Sequence, residues 1–142
     1  DVLVGSDLTA KLINFELVKP FPTEEEKQVT RIVDGRVNIQ PAFAAPELIV
    51  YPVMADQRAD LFGVGACLYF MITGNAPFYD AIPRDSVTRV FERHFEDPRD
   101  FRDDLPDELV ELINKSLAEQ PHDRYQTPEE MREDMEKLRS TV

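Results

Sequence analysis

The stretch from Gln57 to Ile72 constrains this chain more than any other, because it has the length of a helix yet carries apolar residues on nearly every side. Leu61, Phe62, Val64, Cys67, Leu68, Phe70, Met71 and Ile72 leave no broad polar stripe, the pattern of a helix enclosed by protein. Gly74 stands where such a helix would stop, since glycine takes the left-handed conformation at a helix end at little steric cost. Gly63 and Gly65 each cost about 1 kcal/mol of helix propensity relative to alanine, so both are expected to admit another backbone at close range. The core is expected to form around this segment.

The flanking sequence reads as two hairpins before the buried helix and three amphipathic helices after it. Val2-Leu3-Val4 and Ala10-Lys11-Leu12-Ile13 are short branched runs joined by the turn-forming Gly5-Ser6-Asp7. Asp34-Gly35 predicts a tight turn inside a second hairpin over Val29 to Gln40. Pairing outward from that turn puts Thr30, Ile32, Val37 and Ile39 on one face, available for docking, and Arg31, Val33, Arg36 and Asn38 on the other. Val87, Val90, Phe91 and Phe95 mark one later helix, and Leu109, Leu112, Ile113 and Leu117 the next. Thr127-Pro128-Glu129-Glu130 starts the last, with a threonine cap, a first-turn proline and a capping-box glutamate, ahead of Met131, Met135 and Leu138. The fold class is mainly α with short β-hairpins.

Charge and composition narrow the function. The net charge is −12, and residues 96 to 142 hold fifteen acids against seven bases, so counterion-release binding to nucleic acid is disfavoured. No apolar run reaches the roughly 18 residues of a membrane span, and the start at Asp1 lacks the basic region of a signal peptide. A single cysteine, Cys67, allows no internal disulfide and is expected to be a buried core thiol in a reducing, cytoplasmic setting. His94 and His122 lack metal-ligand spacing.

Five motifs, in order, carry a resemblance. Asn14-Phe15-Glu16 after Lys11-Leu12-Ile13 is similar to the Asp-Phe-Gly motif of protein kinases, and Ala45-Pro46-Glu47 to the end of their activation segment. Arg58 to Gly65 resembles the start of the kinase F helix, Thr73 to Phe78 continues that match, and Pro121-His122-Asp123-Arg124-Tyr125 resembles the stretch whose arginine pairs with the Ala-Pro-Glu glutamate. The chain thus looks like the C-terminal lobe of a bacterial-type serine/threonine kinase fold, an α+β fold whose small lobe and catalytic loop would lie upstream of Asp1. On that reading residues 1–13 are a hairpin, 14–47 the activation segment and 48–142 a helical subdomain. The resemblance implies an ion pair between Arg124 and Glu47, and an Asp60 that braces catalytic-loop backbone.

It also implies impaired chemistry. Phosphoryl transfer relies on magnesium held by the Asp-Phe-Gly aspartate; here that residue is Asn14, an amide without charge, and Glu16 replaces the glycine. Asp1 aligns with the catalytic-loop asparagine, so Asp1 and Asn14 form a candidate metal pair with the two ligand types exchanged. ATP and Mg2+ are expected only together with the upstream lobe. Gln40 stands where many kinases carry a threonine, and a hairpin over Val29 to Gln40 would fix a segment that kinases usually switch. The expectation is a pseudokinase-type regulatory or scaffolding module that binds a protein partner or its own small lobe. The alternative is a divergent, weakly active serine/threonine kinase, and a third reading is a C-lobe interaction domain.

Overall fold

The computed structural model describes residues 2–7, 9–13 and 40–141. They fall into two units, residues 1–38 and 39–142. In the first, β1 (Val2–Val4) pairs antiparallel with β2 (Ala10–Leu12), Val2 opposite Leu12 and Val4 opposite Ala10. The predicted turn chemistry closes it: the Gly5 N–H donates to the Thr9 carbonyl at 2.9 Å, and the Asp7 carboxylate accepts from the Thr9 N–H at 3.0 Å. Asp1, Asn14, Glu16 and the second predicted hairpin with its Thr30, Ile32, Val37 and Ile39 face lie outside the described residues.

The second unit is helical. A 3-10 turn at Pro41–Phe43 leads into α1 (Pro46–Val50), then α2 (Gln57–Thr73), α3 (Pro83–Phe91), α4 (Asp107–Ser116) and α5 (Pro128–Thr141). Further 3-10 turns at Pro98–Asp100 and Pro121–Asp123 each begin on proline, whose fixed φ suits a first turn and whose missing N–H would be unpaired there anyway.

α2 forms as its composition requires, and its ends are capped. The Asp56 side chain accepts the Arg58 N–H at 2.9 Å, and Gly74, at φ 74°, turns its own N–H to the Phe70 carbonyl at 2.8 Å. Its buried side is Ala59, Leu61, Phe62, Gly65, Ala66 and Tyr69. Enclosure is incomplete: Val64, Phe70 and Met71 are exposed, and Cys67 is half-buried rather than a core thiol, its pKa raised by burial. The expectation for the two glycines separates. A Cβ on Gly65 would collide with the Ser116 side chain of α4, whereas one on Gly63 would meet only the Phe43 carbonyl at 3.8 Å, an ordinary contact. Close helix approach holds at Gly65 alone.

Two apolar clusters share α2. Ala45, Ala59, Phe62, Ala66, Tyr69, Phe78, Val90, Ile113 and Leu117 form the larger; Leu61, Leu112, Tyr125 and Met131 form the smaller, with Met135 and Leu138 against it. The helix expected to run through Phe95 ends at Phe91. Arg93 takes a left-handed conformation, φ 49°, that ends the helix, so Phe95 reaches the core from the irregular segment after it and packs edge-on to Tyr69 and Phe78, centroids 5.7 and 5.4 Å apart. The helical spacing was met by a side chain that is not on the helix.

α5 starts at the predicted cap. Thr127 Oγ1 accepts the Glu130 N–H at 3.1 Å. The glutamate reaches back to the Gln126 N–H at 2.8 Å, one residue before the cap, because its other oxygen is held by Lys115 Nζ of α4 at 2.6 Å.

Candidate functional site

Arg124 organises the surface where α1 meets the core. It follows the Pro121–Asp123 turn in extended conformation, which sends its side chain inward, and that side chain is fully buried. A buried guanidinium must satisfy its donors to offset the loss of water. All five do so. Nε donates to the Ala118 carbonyl at 2.8 Å; Nη1 to Glu47 Oε1 at 2.6 Å and the Arg58 carbonyl at 3.3 Å; Nη2 to Glu47 Oε2 at 2.9 Å and the Glu119 carbonyl at 2.8 Å. The guanidinium also lies 4.8 Å from the Phe62 ring centroid. Glu47 sits in the first turn of α1, where a carboxylate is favoured by the helix N-terminus. One side chain therefore joins α1, α2 and the loop after α4, across 77 residues of sequence.

Gln126 extends this junction. Its side-chain amide donates to the Arg124, Pro121 and His122 carbonyls at 2.7, 3.1 and 3.3 Å, and its Oε1 accepts from Arg58 Nη1 at 3.1 Å. The same arginine forks onto Asp56, with Nη2 to Oδ2 at 2.7 Å, and holds the Asp56 carboxyl below its ordinary pKa. Nothing in the sequence marked Gln126, since its role depends on carbonyls placed by the turn before it.

Asp60 stands apart. Its carboxyl sits on the exposed side of α2, with desolvation raising its pKa. Asp60, Val64, Cys67 and Met71 follow one another at helical spacing along a single face of α2, of which Val64 and Met71 are 44% and 69% exposed.

α3 lies beside α1 and the Pro41–Phe43 turn. Val90 and Ser86 are buried, while Ile82, Arg84 and Phe91 are exposed. The buried Ser86 hydroxyl accepts the Asp80 N–H at 2.8 Å, and Arg89 Nε donates to Asp80 Oδ2 at 3.1 Å, which fixes the loop leading into the helix.

His94 and His122 are both exposed. Among the described residues no cluster of three or more His, Cys, Asp or Glu side chains could hold a metal ion, and no helix is long and apolar enough to cross a membrane. The structure therefore brings Glu47 and Arg124 together and leaves Asp60 separate, while the candidate metal pair Asp1 and Asn14 lies outside the described residues.

Comparison with known proteins agrees with this architecture. The family model described as protein kinase domain matches residues 1–135. A probable serine/threonine-protein kinase of Clostridium perfringens is 27% identical over 143 residues, covering 98% of this chain and 19% of that protein. The tyrosine-protein kinase MasK of Myxococcus xanthus is 30% identical over 119 residues, covering 84% of this chain and 18% of its own length. The serine/threonine-protein kinase PknB of Mycolicibacterium smegmatis is 27% identical over 141 residues, covering 95% and 21%. The chain spans about a fifth of the length of these curated relatives. A matched family model over nearly the whole sequence, on a helical unit pinned by a buried Arg124–Glu47 pair, places this chain in the protein kinase domain family.

Proposed function

We propose that this chain is the large-lobe part of a kinase-like protein that has lost efficient phosphoryl transfer and acts as a regulatory or scaffolding module through protein binding. The observation that carries this reading is Asn14-Phe15-Glu16 at the position of the family's metal-binding motif. A magnesium ion beside a triphosphate is held by anionic oxygen. An amide at that place leaves the ion with one carboxylate fewer, and Glu16 adds bulk where glycine gives backbone freedom. The donor set fits magnesium poorly. By contrast, the Glu47–Arg124 junction and the buried side of α2 are intact, as a binding scaffold requires.

The partners of this reading are the upstream lobe of the same protein and a second protein docked on the activation segment and α3. Asp60, exposed with its pKa raised by partial desolvation, and the exposed Val64 and Met71 on the same face of α2 support the first, because exposed apolar surface marks a face that a partner can cover. Exposed Ile82 at the N-cap of α3, with exposed Arg84 and Phe91 on the helix itself, supports the second.

One observation favours a second reading, a weakly active serine/threonine kinase: Asp1 aligns with the family's catalytic-loop asparagine, so that a carboxylate and an amide are both retained in exchanged places. Nucleotide thermal-shift and autophosphorylation measurements on the intact protein, with Asn14→Asp alongside, separate the two. Magnesium-independent or absent nucleotide binding with no transfer supports the binding module; magnesium-dependent turnover supports the enzyme.

A further inference from the structure

We propose that Arg93 is a positioning residue that caps two helices at once and fixes the C-terminal end of α3 on α4; the docking role of α3 rests on the function proposed above. α3 ends in a Schellman arrangement, with the Arg93 N–H on the Val90 carbonyl at 3.2 Å and the His94 N–H on the Arg89 carbonyl at 2.8 Å. That arrangement puts its turning residue in the left-handed region, which glycine usually fills. Among the described residues only Gly74 and Arg93 have positive φ. An arginine kept in a glycine's conformation needs a compensating contact from its side chain.

The compensation lies at the far end of α4. Arg93 Nε donates to the Leu117 carbonyl at 3.2 Å, and Nη2 donates to the Asn114 carbonyl at 3.0 Å and to Asn114 Oδ1 at 3.2 Å. These groups lie where a helix leaves its last carbonyls without partners and its dipole favours a cation. The guanidinium also sits 5.5 Å from the Phe95 ring centroid. Phe95 then packs on Tyr69 and Phe78, and the Tyr69 hydroxyl donates to the Glu96 carbonyl at 3.0 Å. By contrast, the polar contacts of Ser86 and Arg89 tie α3 only to the Asp80 loop just before it. Val90 gives α3 its apolar seat in the core, and Arg93 gives its C-terminal end a polar anchor on α4.

The sign of one substitution tests this. Arg93→Gly removes the left-handed strain, so a residue that only turned the chain would become more stable or show no change. We expect the opposite in the intact protein: a lower melting temperature, and amide hydrogen exchange at least tenfold faster over residues 83–96 with α2 protection unchanged. Arg93→Lys, which keeps a cation at the end of α4 without the fork, should recover part of that protection, and Asn114→Ala should cost less than Arg93→Gly. Unchanged exchange in α3, or a uniform acceleration over α2, α4 and α5, would overturn the proposal. Phosphate transfer by the unaltered protein would remove the docking reading while leaving the Arg93 result standing, so the two failures are distinguishable.

Discussion

Arg124 grips Glu47 through both carboxylate oxygens, at 2.6 and 2.9 Å, from a position with no exposed side-chain surface. The pair closes the loop from the start of α1 to the end of the turn before α5. Arg124→Ala would leave Glu47 half-enclosed and the Ala118, Glu119 and Arg58 carbonyls without their donor. Breaking such a buried pair costs about 3–5 kcal/mol. Arg124→Lys should recover little, because one ammonium cannot meet acceptors arranged for a planar fork. Urea denaturation checks both; a loss within about 0.5 kcal/mol, typical of a surface substitution, would show that the junction is not structural.

The two glycines of α2 should respond with opposite signs. Gly65→Ala drives a methyl into Ser116, and overpacking of this kind costs about 1–3 kcal/mol. Gly63→Ala meets an ordinary contact and gains helix propensity, so it should be neutral or stabilising by up to about 1 kcal/mol. Ser116→Gly in the Gly65→Ala background should restore part of the loss. Equal effects at both glycines in thermal unfolding would contradict the packing described.

This contrast also marks the limit of what the sequence made legible. The enclosed helix, its end at Gly74 and the Thr127 cap follow from local composition, because capping and periodicity are local physics. Whether Gly63 or Gly65 faces a neighbour depends on where Ser116 arrives, which no local pattern contains. Phe95 fell on helical spacing by coincidence, since the left-handed Arg93 has none of the usual residue signals. The Glu47–Arg124 pair was readable only through the family resemblance, and Gln126 through nothing at all. The metal pair Asp1 and Asn14 rests on sequence alone.

Asp60 gives a pH-dependent expectation. Desolvation raises its folded-state pKa above the ordinary 3.8, so the protonated form stabilises the fold and that contribution is lost as pH rises through the raised value. At neutral pH Asp60 is therefore a cost in this chain. Asp60→Asn should raise the melting temperature of residues 1–142 at pH 7, with a gain that shrinks as the pH is lowered. In a longer protein carrying the covering lobe proposed above, donors from that lobe to the carboxylate would make the gain vanish or reverse; an identical gain in both would argue against that cover.

Asp56 behaves in the opposite sense. The Arg58 fork lowers its pKa below 3.8, so its contribution is present above that value and disappears as pH falls through the depressed one. Asp56→Asn keeps a good helix cap but loses the charge, and for an exposed pair the loss should stay within about 1 kcal/mol. Asp56→Ala removes the cap as well and should cost about 1 kcal/mol more. Denaturation curves at pH 7 and pH 3 check the ordering, with the Asp56→Asn difference shrinking at the lower pH.

Phosphate transfer from ATP by the intact protein, followed with and without magnesium for the natural sequence and for Asn14→Asp, tests the central claim most directly. No magnesium-dependent turnover is expected from the natural sequence, and a gain is expected on restoring the aspartate. Steady magnesium-dependent transfer by the natural sequence, abolished when Asp1 or Asn14 is replaced by alanine, would contradict it.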